Sequence, residues 1–240
     1  LAGQAATSLL LNPENHVSTP GCPMLTAALP FPDIDPTAFS IGPIAVKWYG
    51  LAYAAGLLLG WLYVRRMLRT TRLWAGGTAP FPESRADDLL LFMAIGVVVG
   101  GRLGEVLFYQ PDYFLANPLE IFDTRSGGMS FHGGFLGSIL AIWYFSRRYA
   151  VDMRTTFDLA AAATPIGLFF GRIANFINAE LWGKVSSVPW AIHFPNTGPL
   201  PRHPSQLYEA ALEGALLLVV CAILVWRREA LRRPGLVAGT

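Results

Sequence analysis

The fold class of this chain follows from one stretch of its sequence, Leu89–Tyr109, which reads LLLFMAIGVVVGGRLGEVLFY. A helix needs about 20 mainly apolar residues to cross the ~30 Å hydrocarbon core of a bilayer, and this stretch has that length. Four further runs of similar character occur along the 240 residues, and they are Ile44–Val64, Phe131–Tyr149, Thr155–Phe176 and Gln206–Trp226. The sequence therefore predicts five transmembrane helices.

The composition of the whole chain agrees with this prediction. Hydrophobic residues make up 53% of the sequence and charged residues only 14%, whereas a soluble domain typically carries about 25% charged residues. Glycines inside the predicted helices, such as Gly56 and Gly100, are tolerated in membranes and allow close helix packing. The predicted fold class is an all-α polytopic membrane protein, a helical bundle with a small extramembrane head.

Basic residues are distributed unevenly between the two sides of the predicted bundle. One side holds the arginine clusters, which are Arg65, Arg66, Arg69, Arg72, Arg85, Arg147, Arg148, Arg154, Arg227, Arg228, Arg232 and Arg233. The opposite loops hold only Arg125, Lys184 and Arg202. Because basic loops stay in the cytoplasm, the N-terminus is predicted to lie outside. Topology thus explains the net charge of +2, and no nucleic-acid partner is predicted.

Three segments fall outside the predicted helices. Residues 1–43 contain no Lys or Arg and are predicted to form an outer extension without a cleaved signal, with Met24 as a candidate start. Residues 177–205 are predicted to form the head, because Trp190, Ile192 and Phe194 alternate as in a short strand. Residues 227–240 are predicted to be a cytoplasmic end.

The cysteines and histidines indicate neither a disulfide nor a metal site. Cys22 lies in the outer extension and Cys221 inside the last predicted helix, so a bridge between them is geometrically implausible. The four histidines lack the spacing of metal ligands, and no Cys or carboxylate cluster completes such a set. No structural or catalytic metal is predicted.

Polar residues occur in every predicted helix toward the same side of the membrane. They are Tyr49, Arg102, Glu105, His132, Ser205, Gln206, Tyr208, Glu209 and the segment Gly171–Gly183, which reads GRIANFINAELWG. A charged side chain at bilayer depth costs at least ~2.5–3.5 kcal/mol, so it normally faces a wet cavity or a partner and marks a functional site. The pattern predicts a water-accessible cavity that opens toward the outside.

Several of these residues also have a structural interpretation. Taken alone, Tyr49 beside Trp48 is better explained by an aromatic belt, and Arg102 with Glu105 is also explained by a neutralising buried pair. A lone His132 is more often an interfacial hydrogen-bonding residue than a catalytic one.

The polar cluster at the end of the fourth predicted helix is harder to explain structurally. Its members are Arg172, Asn175, Asn178 and Glu180. Four such side chains within nine residues are a costly way merely to hold helices together. Since they do not share one helical face, either the cavity is broad or the helix breaks.

Four motifs occur in order along the chain, and they are Trp48-Tyr49-Gly50, Gly128-Met-Ser-Phe-His132-Gly-Gly134, the segment Gly171–Gly183, and Arg202-His-Pro-Ser-Gln-Leu-Tyr-Glu209. Together they resemble the motifs of the prolipoprotein diacylglyceryl transferases of bacterial inner membranes. The resemblance runs from about Phe31 to Gly235. It implies a multi-pass inner-membrane protein with a periplasmic N-terminus and a periplasmic head.

The resemblance implies a transferase reaction between a lipid and a protein. The diacylglyceryl group of phosphatidylglycerol moves to the thiol of the lipobox cysteine, which follows the signal peptide of an exported prolipoprotein, and glycerol phosphate is released. Arg172 is the implied catalytic residue for the phosphate, because its planar fork of donors matches phosphate oxygens. His132 is the candidate base for the thiol proton, although nearby arginines could instead lower the pKa of the thiol. No cofactor is implied, because the bilayer phospholipid is itself the activated donor.

The resemblance also implies a set of substrate-binding residues. They are Tyr49, Arg102, Arg172, Asn175, Asn178, Glu180 and Gly183. The polar members would hold and orient the lipid headgroup, and Gly183 would permit the turn into the head.

The sequence departs from the family pattern in two places. Glu105 stands where the family has an aromatic residue, and the chain ends before a further helix that, in the family, carries an Arg and a Glu facing the cavity. Because of the missing helix, a non-catalytic lipid-binding membrane protein stays open as an alternative function. An outward-open transporter stays open as well, because it would also gather charges around a cavity.

Overall fold

The computed structural model describes residues 28–123 and 128–240. The strands are β1 (Leu29–Pro30), β2 (Thr37–Ile41), β3 (Ile44–Lys47) and β4 (Ile192–His193). The helices are α1 (Trp48–Arg69), α2 (Arg85–Gly104, continued by a π-helical turn over Glu105–Tyr109), α3 (Pro111–Ala116), α4 (Phe131–Tyr149), α5 (Met153–Ile177) and α6 (Ser205–Arg227, with π-helical stretches at Ala210–Leu216 and Ile223–Arg227). The predictions for Cys22, Met24 and Arg125 lie outside the described residues.

Each predicted membrane segment contains one long helix. Three of the helices that the structure describes are long and apolar enough to cross a membrane, and they are Arg85–Tyr109, α5 and α6. The flanks of the helices expose many large apolar side chains, such as Leu58 on α1, Val98 on α2 and Leu140 on α4. Such a surface suits lipid rather than water. The helical membrane fold is thereby confirmed, while the crossing of α1 and α4 stays a prediction.

The first helix begins later than the sequence predicts. Residues from Ile44 to Lys47 form β3, which pairs antiparallel with β2, and the helix starts only at Trp48. Gly42, with a φ of 58°, provides the left-handed residue in the tight turn between these strands. The prediction extended the helix through this hairpin because a short apolar run does not distinguish a strand from a helix.

The helices pack in antiparallel pairs through glycines. Along α2, Gly96, Gly100 and Gly104 face Gly133 and Gly137 of α4 so closely that backbone touches backbone. A similar close approach joins α1 to α5, where a Cβ added to Gly56 would lie 3.2 Å from the Cα of Gly167. Small residues at four-residue spacing permit this packing, which contributes van der Waals contacts in a membrane.

The buried core lies at the end of the bundle where the arginine clusters are. Its largest fully buried side chains are Met67, Leu73, Phe145, Leu159 and Val225. They come from the ends of α1, α4 and α6, the start of α5 and the loop after α1. The opposite end of the bundle is therefore free of this core, and it carries the polar residues that the sequence singled out.

The described chain divides into two compact units. The bundle comprises residues 33–182 and 205–240, and the head comprises residues 28–32 and 183–204. In the head, β1 pairs in parallel with β4, Ile192 exchanges two backbone hydrogen bonds of 2.9 Å with Arg202, and Phe31 packs on Phe194. The predicted strand at 190–194 is confirmed only over Ile192–His193. Its partner β1, which comes from the N-terminal extension, was not predicted.

Candidate active site

Arg172 lies near the end of α5 and faces two carboxylates of α6. Its Nε lies 2.8 Å from Oε2 of Glu209, and its Nη2 lies 3.7 Å from Oε2 of Glu213. The Nε contact is an ion pair without the alignment of a hydrogen bond. The side chains of Arg172, Glu209 and Glu213 are 28%, 36% and 51% exposed, so this cluster is neither sealed nor fully open.

The two glutamates were not among the predicted site residues. Glu209 belongs to the motif Arg202–Glu209 and to the polar residues predicted on the outer side, whereas Glu213 belongs to neither. Their separation by four residues on one predicted helix was the available signal, because residues at that spacing lie on the same face. The local helix is π-helical at Ala210–Leu216, and both carboxylates still approach the same guanidinium.

A second polar group joins the start of α1 to the end of α5. The hydroxyl of Tyr49 lies 3.1 Å from that of Tyr53, and it also interacts with the side chain of Asn175 and with the charge of Glu180. Asn175 is only 8% exposed. The structure therefore brings together three of the predicted site residues, Tyr49, Asn175 and Glu180.

The α5 helix ends within its polar segment, whose residues would lie on different faces if the helix continued. It ends at Ile177, with Asn178 as its C-cap residue, and Ala179 and Leu181 adopt left-handed backbone angles of φ 54° and 53°. The break resolves the choice between a broad cavity and an interrupted helix in favour of the interruption. Gly183 does not supply the left-handed turn, because no positive φ occurs there.

The start of α6 holds this break in place. Gln206, which is fully buried, donates from Nε2 to the backbone carbonyl of Glu180. The hydroxyl of Ser205 donates to the carbonyl of Leu181 at 2.7 Å. These bonds give partners to two backbone carbonyls of the turn that follows the helix. Gly183 itself is the first residue of the long head segment, where its N–H donates to the carbonyl of His203 at 2.9 Å.

Arg102, a predicted substrate-binding residue, is 7% exposed and directed into the loop that follows α2. Its guanidinium donates at 2.5–3.0 Å to the backbone carbonyls of Glu120, Ile121, Asp123 and Gly128. Glu105 is similarly buried and accepts a hydrogen bond of 2.9 Å from Gln110. This geometry favours a structural role for Arg102, and its contact with substrate stays a prediction.

His132 is the second residue of α4 and is exposed. Its ring meets Phe131 edge-on at 5.7 Å, and within the described residues it makes no hydrogen bond or ion pair. The preceding residue Ser130 fixes this helix start, since its Oγ accepts from the N–H of Gly133 and its own N–H donates to the carbonyl of Gly101. Because α4 packs mainly on α2 while α5 packs mainly on α1 and α6, His132 and Arg172 belong to different helix groups at the same end of the bundle.

An apolar groove of about 510 Å³ runs along the flank of the bundle between α1, α5 and α6. Its lining includes Leu62, Phe169 and Leu218, with Arg66 toward the arginine-rich end. None of the predicted site residues lines it. The groove is therefore distinct from the polar cavity that the sequence predicts, and that cavity stays a prediction.

Comparison with known proteins gives a consistent result along almost the whole chain. The sequence model of a family described as prolipoprotein diacylglyceryl transferase matches residues 36–240. A phosphatidylglycerol–prolipoprotein diacylglyceryl transferase of Rhizobium meliloti (strain 1021) is 61% identical over 213 residues, which cover 89% of this chain and 76% of the relative. Proteins of the same name from Agrobacterium fabrum and Nitrobacter winogradskyi are 52% and 56% identical, over 90% and 88% of this chain and 78% and 72% of their own lengths.

Proposed function

Because the chain belongs to the prolipoprotein diacylglyceryl transferase family, we propose that it transfers the diacylglyceryl group of phosphatidylglycerol to prolipoproteins. The single observation that carries this proposal is the similarity to transferases of that name over about nine-tenths of the chain. In chemical terms, the acceptor is the thiol of the lipobox cysteine next to the signal peptide. The thiolate sulfur attacks a glyceryl carbon, the bond from that carbon to the phosphate oxygen breaks, and glycerol phosphate leaves with the electron pair.

Arg172 is the proposed residue for the phosphate. A guanidinium stays charged in any protein environment, and its fork of donors matches phosphate oxygens. Its ion pair with Glu209, in which both side chains are about one-third exposed, fixes the direction of the fork while leaving donors available. As negative charge develops on the departing phosphate, these donors stabilise it.

The Tyr49–Asn175 group is proposed to position the lipid headgroup. A hydroxyl and an amide provide both donors and acceptors for glycerol hydroxyls, and Glu180 lies close enough to influence them. Asn178, at the C-cap of α5, would complete this polar surface. Gly183 is proposed to let neighbouring backbone segments pass close to each other after the break. Arg102 is proposed to act on the substrate indirectly, through the loop whose backbone carbonyls it binds.

His132 is proposed to receive the thiol proton. An imidazole can act as a base at neutral pH, and the exposure of His132 at the start of α4 leaves it accessible. The alternative is a thiol whose pKa is lowered by nearby arginines without a discrete base. The substitution His132→Gln separates the two, because loss of a base changes the pH profile of turnover as well as its rate.

The proposed location is the inner membrane of a bacterium, with several crossings and a periplasmic N-terminus. The positive-inside distribution of arginines supports this orientation, as does the concentration of polar site residues at the end of the bundle away from those arginines. The lipid substrate is then part of the surrounding bilayer, and the acceptor is an exported protein held by its signal peptide.

The proposed function is tested by reconstituting the chain in phosphatidylglycerol vesicles with a peptide that carries a lipobox cysteine. We expect release of glycerol phosphate that requires the peptide thiol, and gain of a diacylglyceryl group by the peptide. Arg172→Ala should abolish release, whereas Arg233→Ala, at an exposed position in the cytoplasmic end, should leave it unchanged. Binding or transport without lipid consumption would exclude the transferase, and full activity of Arg172→Ala would remove the role given to Arg172.

A further inference from the structure

The connection between α2 and α4 carries the most exposed large apolar side chains of the described chain. Leu115, Leu119 and Phe122 are 81%, 83% and 84% exposed. They lie on α3 and on the 3₁₀ turn Pro118–Phe122 that follows it. Of the large apolar residues in this connection, only Phe114 is buried, at 5% exposure. A segment of this kind needs a partner for its apolar side chains.

Exposed aromatic side chains of the neighbouring long helices flank this segment in sequence. Phe108, near the end of the membrane-crossing helix Arg85–Tyr109, is 76% exposed. Phe131, at the start of α4, is 80% exposed. The segment 111–122 is therefore flanked in sequence by exposed aromatic side chains, one near the end of an apolar helix long enough to cross a membrane and one at the start of α4.

Backbone carbonyls of this segment have the hydrogen-bond partners that a region of low polarity requires. Its short helical turns leave carbonyls without internal partners, and such groups are costly where water is scarce. The buried guanidinium of Arg102 donates to the carbonyls of Glu120, Ile121 and Asp123. The same guanidinium lies 4.9 Å from the centre of the Phe114 ring. Arg102 therefore fixes the polar backbone inward while the apolar side chains stay outward.

Three polar side chains of the segment are also engaged within it. The hydroxyl of Tyr113 donates to the carboxylate of Glu120, and Nδ2 of Asn117 donates to the carbonyl of Tyr113 at 3.1 Å. The Glu120 hydrogen bond raises the pKa of the Tyr113 hydroxyl, which keeps it protonated as a donor. Polar groups that are satisfied in this way lower the cost of placing the segment in the headgroup region.

We propose that residues 111–122 form an interfacial anchor that lies in the plane of the membrane surface. Leu115, Leu119 and Phe122 insert among the lipids at the boundary between headgroups and acyl chains. Amphipathic segments bind at this boundary with their apolar face buried about 5–10 Å. The partner is the lipid leaflet at the end of the bundle that carries the proposed active site. Phe108 lies only a few residues before the segment, on a helix long and apolar enough to cross a membrane, and this proximity in sequence favours lipid over a second protein.

The anchor has a consequence for the site. The carbonyl of Gly128 is held by the same guanidinium, at 3.0 Å from Nη1 of Arg102, and Ser130 caps the helix that begins with Phe131 and His132. A segment fixed at the membrane surface thereby fixes the depth at which His132 stands. The anchor itself does not depend on the proposed reaction, because it rests on exposure and on backbone contacts.

The test is a depth measurement on the full chain in lipid vesicles. Cys22→Ala and Cys221→Ala give a background without cysteine, into which Leu119→Cys or Leu115→Cys is introduced and spin-labelled. Accessibility of the label to oxygen, which concentrates in the bilayer, is compared with accessibility to a water-soluble nickel chelate. Asp112→Cys serves as the polar control in the same segment, and Leu140→Cys on α4 serves as the lipid-facing control.

We expect the oxygen-to-nickel ratio at residues 115 and 119 to exceed that at residue 112 severalfold and to approach that at residue 140. A ratio equal to that of the Asp112→Cys label would place the segment in water and overturn the proposal. A label reached by neither reagent would show a protein partner covering the segment, and it would overturn the proposal equally. Labels at two apolar positions keep the test valid if one substitution disturbs folding.

Discussion

The glycine contact between α2 and α4 gives a prediction that the structure makes quantitative. A Cβ added at Gly137 would overlap the carbonyl of Gly96, with the carbonyl carbon at 2.7 Å and the Cα of Gly100 at 3.1 Å. At Gly167 of α5 no heavy atom lies within 4 Å of the added Cβ. Gly137→Ala therefore forces two helices apart, whereas Gly167→Ala fills open space.

The expected difference in the free energy of unfolding between the two variants comes from contributions that only one of the substitutions has. Each replaces a glycine inside a helix by alanine and gains about 0.8–1 kcal/mol of helix propensity, which cancels in the comparison. Overpacking at a tight contact costs typically ~1–3 kcal/mol. We expect Gly137→Ala to be less stable than Gly167→Ala by this amount, and roughly 2–4 °C of unfolding temperature corresponds to each kcal/mol for a chain of this length.

The measurement is thermal unfolding of both variants and the wild type in the same detergent, followed by tryptophan fluorescence. The wild type should lie between the two variants or close to Gly167→Ala. Equal midpoints for Gly137→Ala and Gly167→Ala would refute the inference that backbone contact at the glycines holds α2 against α4. A loss confined to Gly167→Ala would refute the open space at α5.

Three further predictions concern side chains. Glu209→Gln removes the charge that orients Arg172 at 2.8 Å, so turnover in the glycerol phosphate assay should fall roughly 10- to 100-fold, while the unfolding midpoint changes little because exposed ion pairs contribute only about 0.2–1 kcal/mol. Gln206→Ala removes a fully buried side chain together with its hydrogen bond to the carbonyl of Glu180, and should destabilise the protein by ~1–3 kcal/mol in thermal unfolding. The hydrogen bond from Arg69 lowers the pKa of Glu83 below its ordinary value of 4.5, so its stabilisation is complete above that value and is lost as the pH falls through the lowered pKa. Thermal midpoints measured during acidification should therefore fall less in Glu83→Gln than in the wild type, and identical pH dependence would contradict this assignment.

The helices could be predicted from the sequence because each is a long apolar run, and α4 has the bounds that the pattern predicts, Phe131–Tyr149. The hairpin before α1 could not, because residues 44–46 are a short apolar run that leads directly into the helix. The pairing of β1 with β4 could not be predicted either, since it joins residues far apart in sequence and involves only two residues on each side. Local periodicity carries no information about such contacts.

The candidate site shows a similar division. The residues of the GRIANFINAELWG segment could be selected from their polarity, because polar side chains at bilayer depth are costly and usually functional. The break after Ile177 could be foreseen only as one of two possibilities. The hydrogen-bond partners of Arg102 could not be predicted, because they are backbone carbonyls and every residue carries one. Backbone carbonyl acceptors cannot be identified from residue types, whereas the four-residue spacing of Glu209 and Glu213 can be read from the sequence.

The surroundings of Arg172 reconcile two requirements that the proposed reaction places on one side chain. A lone guanidinium at the end of a membrane helix is costly when no lipid phosphate is bound, and two carboxylates offset that cost. A fully buried pair would hold the guanidinium too firmly, because breaking it leaves an uncompensated charge. Here the nearer carboxylate of Glu209 is 36% exposed, and the farther carboxylate of Glu213 is half exposed at 3.7 Å. Water can solvate both carboxylates when a phosphate replaces them, so the exchange of partners carries a small penalty. An arginine in a partly solvated ion pair is thus suited to an anion that must bind, react and leave.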